Sequence, residues 1–369
     1  MSSGKQGSSS SVFITDSIVG SFKPSKLFNY HQEASVTSLD FNVSGQYLIS
    51  AGIDKSIQLY DVHRGIHHKD IQSQKYGAHL ARFAHDDLNC LYASTPSASL
   101  EVDHSIRYLA LASNTYLRYF KGHKEQVVAI EMNPVSETFI SSSLDRTVKV
   151  WDLKSASPIG NFDIGLPSVV AFDPQGIVFA VGKCPQPQLK SASGSVSMYD
   201  MTNFDKGPFL TVEVPIISGQ SWNKLEFSNN GKLLLISTDT HEHYLLDAFL
   251  GQLLTTLIVD VTRSSKEYNG DWMSFQYPST GSTCFTPCGK FVLAGSPKGK
   301  VCTFDVSSIK TTEGGVHVVL DSDNPKRTVP FKMLDTDSSG IPKILSFNPK
   351  LMTFASADNK VALWQADNL

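Results

Sequence analysis

The sequence predicts an all-β protein of seven repeated four-stranded units closed into a ring, a seven-bladed β-propeller. Three observations carry this. First, a short strand closing on a large apolar residue recurs seven times, as "SIQLYD", "SIRYLA", "TVKVWD", "SVSMYD", "EHYLLD", "KVCTFD" and "KVALWQ". Second, the closing residues Tyr60, Leu109, Trp151, Tyr199, Leu246, Phe304 and Trp364 are spaced by 49, 42, 48, 47, 58 and 60 positions. That is close to or above the blade period of about 40–45 residues. Third, most copies are preceded by two apolar strands around a Pro/Gly/Asn turn, as in "VTSLDFNVSGQYLIS", "VVAIEMNPVSETFIS" and "KLEFSNNGKLLLIS". Strand, turn and strand in this order make a meander, and the 3.6-residue period of an amphipathic helix is nearly absent from the region.

The elements follow in chain order. Residues 1–20, opening "MSSGKQGSSSS", read as a flexible Gly/Ser-rich tail. Their short apolar piece is interrupted by Thr15 and Asp16 and lacks the apolar core of a signal peptide. No run approaches a membrane-spanning length, so no membrane association is expected. Residues 21–369 read as one propeller. The terminal blade offers only "KILSFN", "MTFASA" and "KVALWQ", so "SFKPSKLFNY" (Ser21 to Tyr30) is expected to supply its fourth strand and close the ring. Deleting residues 21–30 should then cost far more stability than deleting residues 1–19.

The net charge of -3 and 18% charged residues give no global basic field, so direct nucleic-acid binding is not expected. Five scattered cysteines, "CFTPC" included, fit no zinc spacing and read as reduced structural thiols of a cytosolic or nuclear protein. Of the histidine groups, His67 and His68 point to opposite faces of a strand, whereas His241 and His243 share one without a third ligand. All read as surface histidines, and no metal or other cofactor is expected.

"FKGHKEQVVAIEMNPVSETFISSSLDRTVKVWDLKS" holds the ingredients of a nucleophilic triad. It lacks a strained nucleophile turn of the "GxSxG" kind, and its histidine, aspartate and aromatic recur in decaying copies along the chain. Both features point away from catalysis. The frame Gly122, His123, Trp151 and Asp152 resembles a blade of the WD-repeat family, and the likeness covers about residues 22 to 366. It implies a hydrogen-bonded structural clamp of His123, Asp145, Trp151 and one of Ser141 or Ser143, with His31 and Asp54 in blade 1. Blade 2 keeps Asp103, blade 7 keeps Asp358, and blades 4 to 6 lack the aspartate.

The same resemblance places partner contacts beside that turn and at the start of each inner strand. The candidates are Ile53, Leu144 and Ala357, with Thr37, Val128, Asn223 and Lys343. Trp222 reads equally as a binding residue and as core. Long loops lie near residues 184–195, 259–281 and 307–330, and Tyr268 and Trp272 in the second are docking candidates.

"DHSIRYLALASNTYLRYFKGH" and "SLDFNVSGQYLISAGIDKSIQLYDVHRG" resemble more specifically the WD-repeat subunit shared by COMPASS, the Set-one-type histone lysine methyltransferase complex, and the fungal cleavage and polyadenylation factor. The resemblance implies a nuclear, non-catalytic scaffold in histone lysine-4 methylation, mRNA 3′-end processing and transcription termination. Implied partners are the methyltransferase catalytic subunit, other COMPASS subunits, cleavage and polyadenylation subunits, and the phosphorylated tail of RNA polymerase II. The tail would need a basic pocket, and the nearest grouping is Arg118, Lys121, Lys124 and Arg146. The alternative is a substrate adaptor of a ubiquitin ligase or of another nuclear multiprotein complex.

Overall fold

The computed structural model describes residues 13–367 apart from 87, 96–102, 184–192, 215–219, 261–278, 310, 312–325 and 338–339. Seven antiparallel sheets follow one another along the chain. In blade 1 the strands Val36–Phe41, Tyr47–Gly52, Ser56–Asp61 and Ile66–Gln72 pair in sequence order from the inside outwards. Blade 3 repeats this with Val127–Met132, Thr138–Ser143, Thr147–Asp152 and Gly160–Asp163. Apolar side chains alternate along these strands, and both faces of each sheet are covered by neighbouring blades. The core is therefore seven apolar clusters, each shared between adjacent blades.

The ring closes as the alternation of Phe22, Leu27 and Phe28 suggests. Phe22–Phe28 pairs antiparallel with Val361–Ala366, Phe22 opposite Ala366 and Phe28 opposite Val361. Inter-blade ties add to this on the face carrying the first hairpin turns. Asn133 Nδ2 donates to the carbonyl of Gly176 at 2.9 Å, and Asn348 Nδ2 to that of Gly45 at 2.7 Å. Both glycines have positive φ, and a Cβ at either would sit within 2.3 Å of the asparagine Oδ1, so no larger residue fits there.

Three expectations need correcting. The tail does not extend to residue 20: Asp16–Val19 forms one helical turn, and Ile14, Ile18 and Val19 pack into the cluster between blades 6 and 7. Thr15 caps that turn and Val19 is fully buried. Deleting residues 1–19 therefore removes core side chains as well as the Gly/Ser stretch. The long loop before blade 7 returns inside blade 6, whose outer strand Lys332–Asp335 comes after it. On the way Arg327–Thr328 adds to blade 5 as a parallel fifth strand, and Arg327 pairs with Glu242 at 2.9 Å. Finally, His241 and His243 are buried rather than on the surface. His63 and His68 are exposed, and His67 stacks on Tyr30 at 3.7 Å between ring centres.

Candidate functional site

The polar residues of blade 3 meet at the turn before its third strand. His123 Nδ1 lies 3.0 Å from Asp145 Oδ2 and His123 Nε2 2.8 Å from Ser141 Oγ. Trp151 Nε1 donates to Ser141 Oγ at 2.8 Å. The directions follow from the chemistry. Indole can only donate, so Ser141 accepts from it and donates onward to Nε2, leaving Nδ1–H to donate to the carboxylate. Lys124 N and Thr147 N and Oγ1 also donate to Asp145, at 2.9, 2.9 and 2.7 Å. Burial opposes the charge on Asp145, but these donors, His123 first, hold its carboxyl well below the usual range. Burial lowers the His123 pKa as well. Ser143, the other candidate, donates to the Glu125 carbonyl instead. Ser141 is 0% exposed and saturated by Trp151 and His123, so its hydroxyl has no path to a substrate.

Blade 1 repeats the arrangement with His31 Nδ1 at 3.0 Å from Asp54 Oδ2 and Nε2 at 2.7 Å from Ser50 Oγ, which contacts the Tyr60 hydroxyl. Blade 2 uses a residue the sequence does not single out. Arg107, fully buried, donates to Asp103 at 2.9 Å, to Ser94 Oγ at 2.8 Å and to the Ser105 carbonyl at 3.1 Å, and lies 4.0 Å over the Tyr76 ring. In blade 5 Thr240 replaces the aspartate and joins Gln220 at 2.8 Å, which accepts from Tyr244 at 2.9 Å.

The partner-contact candidates fall into two groups. Ile53 and Leu144 occupy equivalent turn positions, their N–H groups donating to Ser35 O and Gln126 O, and Leu144 is 40% exposed. Asp239 fills this position in blade 5, donating to Ser221 O. Ala357 does not belong with them. It pairs with Val361 across only three residues, whereas Ala51 pairs with Ile57 across five, so blade 7 has a shorter turn and Ala357 is buried in the strand. Asp358 accordingly makes no clamp and pairs with Lys343 at 2.8 Å.

Thr37, Val128 and Asn223 sit at the same register shift of three inner strands, but Thr37 is buried with its hydroxyl on Ala51 O at 3.1 Å. Trp222 is 5% exposed in the cluster between blades 4 and 5, where a Cβ on Gly194 would lie 2.3 Å from its ring. It is core. Tyr268 and Trp272 lie outside the described residues. Lys121, Lys124 and Arg146 are exposed beside the junction of blades 2 and 3, and Arg118 is half-buried on the outer strand of blade 2.

A second constellation escaped the sequence reading. Asp40, Arg82, Glu131 and Glu226 occupy the same register in four inner strands and turn into the central channel with Lys224. Arg82 pairs with Glu131 at 2.9 Å and with Asp40 at 3.7 Å, and Lys224 with Glu226 at 2.7 Å. Burial pushes the Asp40 carboxyl up to about 6, against the pull of Arg82. The signal was in the strings "LDF", "ARF", "IEM" and "LEF", where one charge precedes each Phe or Met.

The family model described as WD domain, G-beta repeat matches residues 22–61 and 114–152, the segments that hold the two His–Asp clamps. The chain is 35% identical to COMPASS component SWD2 of Saccharomyces cerevisiae over 94% of its own length and 96% of that protein's. It is 34% identical to WD repeat-containing protein 82 of Drosophila melanogaster, over 96% and 97%. The chain belongs to this family of WD-repeat proteins. The family likeness extends to Set1 complex component swd2 of Schizosaccharomyces pombe, at 30% identity over 96% and 99% of the two chains. It spans every blade, including those where the clamp has changed its donors.

Proposed function

We propose that this protein is a non-catalytic WD-repeat subunit of a Set1/COMPASS-type histone lysine-4 methyltransferase complex and acts in the nucleus. The observation that carries the reading is likeness over nearly the whole of both chains to two proteins named as components of that complex. The clamp fits it, since the Ser–His–Asp sets of blades 1 and 3 are both spent on holding turns, their serines buried. Exposed Leu144 and half-buried Ile53 then serve as contacts to other subunits on the clamp face. A role in the cleavage and polyadenylation factor, and coupling to the phosphorylated tail of RNA polymerase II, extend the same reading. Lys121, Lys124 and Arg146 form the surface for the tail, as exposed cations suit phosphate.

Affinity purification of the tagged protein from nuclei, with mass spectrometry of the eluate, tests the proposal. Co-elution of a SET-domain methyltransferase supports it, and added polyadenylation factors support the extension. A cullin-type ligase, or no stable partner, overturns it.

A further inference from the structure

The face opposite the clamp turns carries two cavities that meet. The first, of about 240 Å³, is the mouth of the central channel, lined by Asp40, Glu131, Glu226, Arg82 and Lys224. With Asp173 on its outer wall, four carboxylates there face two cations, which leaves two negative charges in excess. The second, of about 330 Å³, runs outward between blades 4 and 5. The two share Asp173, Pro174, Phe227 and Asn229 as a common wall. Along the outer cavity Ile177, Phe209 and Phe249 are 53%, 60% and 61% exposed.

These apolar side chains are held on fixed turns. Ile177 N donates to Asp173 Oδ1 at 2.7 Å, Phe249 N to Asp247 Oδ1 at 2.8 Å and Phe209 N to Met198 O at 2.9 Å. An apolar groove whose walls are already ordered loses little entropy on binding, and a cluster of large exposed apolar residues marks an interaction surface. The adjoining excess of negative charge selects what can lie there, because a cation entering the mouth is matched and an anion is repelled.

We propose that this joined surface docks a linear segment of a partner protein carrying a lysine or arginine beside large apolar side chains, the cation in the channel mouth and the apolar groups in the groove between blades 4 and 5. The segment binds on the face away from Ile53 and Leu144, so both surfaces can be occupied at once.

A dodecapeptide phage-display library selected on the purified full-length protein tests this, followed by fluorescence anisotropy of the enriched peptides. The expected peptides pair a lysine or arginine with two or more large apolar residues. Phe249→Ser and Ile177→Ser should each weaken them about tenfold or more, as should Glu131→Gln, while Leu117→Ser, exposed on the outer strand of blade 2, leaves affinity unchanged. Thermal melting of each variant separates lost binding from lost folding, and the exposed Ile177 and Phe249 keep the test open if Glu131→Gln fails to fold. Selection of peptides without the cation, retention of binding by both serine variants, or no enrichment at all overturns the proposal. The readout needs no complex, so it stands or falls apart from the subunit reading.

Discussion

In blade 3 the carboxylate of the turn before the third strand is met by an imidazole arriving from the preceding loop. In blade 2 the same carboxylate is met by a guanidinium from the third strand itself. Asp145 and Asp103 occupy corresponding turns, and both are held below the usual carboxyl range although burial works against each. The difference lies in what surrounds the donor. His123 sits in a relay that ends on the Trp151 indole. Arg107 makes its own contacts and stacks on Tyr76. Blade 2 can therefore close on Leu109 where blade 3 needs a tryptophan. What the fold selects is an acceptor in the turn and a planar donor within reach, and the donor can come from either side.

Four measurements would break or sharpen this comparison. The largest effect is expected for Asp145→Ala, which orphans the His123, Lys124 and Thr147 donors around a carboxylate only 7% exposed. Denaturant unfolding should show a loss of about 3 kcal/mol, and a neutral result would mean that the blade 3 clamp is ornamental. Arg107→Lys keeps the charge but loses the fork that reaches Asp103, Ser94 and the Ser105 carbonyl together. It should cost about 2 kcal/mol, and if lysine serves as well, the planar-donor argument fails. Trp151→Phe keeps the ring but removes the indole donor to Ser141, for a loss of about 1–2 kcal/mol. A blade 3 variant as stable as wild type would show that its tryptophan is replaceable, like the Leu109 of blade 2.

The smallest effect concerns pH. The His123 pKa is lowered in the fold by burial, so the unfolded chain takes up this proton first as pH falls below 6.5. Stability from the clamp is complete above that pH and is lost on acidification. Asp145, also lowered, adds a second loss that begins as pH falls past 3.8. Melting temperature followed from pH 7.5 to 4.5 should thus lose part of its slope in His123→Asn and keep it in Arg107→Lys. Buried His79 in blade 2, pulled down to about 3, contributes the same slope to both variants and cancels from the difference. Identical profiles would remove the imidazole from the account.

The comparison also shows what the sequence could reveal. The seven blades were legible because the closing residues repeat, and the clamp of blade 3 because its donors stand at the family's positions. Arg107 was not, since the matching strand positions hold Gln58, Lys149 and Tyr244, and nothing local marks a guanidinium there as a clamp. Ala357 stands before Asp358 as Ile53 stands before Asp54, and only the strand pairing reveals that the blade 7 turn is shorter and leaves it in the strand. Ile14, Ile18 and Val19 were read as tail, because a single helical turn gives no periodic signal. The channel charges were visible one at a time but gained meaning only when inner strands were laid in register, since a lone Asp or Glu in a strand normally faces solvent.

Ring closure by Phe22–Phe28 has a consequence in time. Its partner strand is made much later, the bonded pair Ser25 and Leu363 being 338 positions apart. At ordinary synthesis rates the N-terminal strand waits roughly 15–70 s on the ribosome for the edge it will join. Through that interval it is an unpaired strand in a crowded cell. Lys23, Pro24 and Lys26 deter premature pairing along it, while Phe22 and Phe28 at its ends are held ready for the seam. The strand that secures the finished ring has therefore also been shaped for its delay.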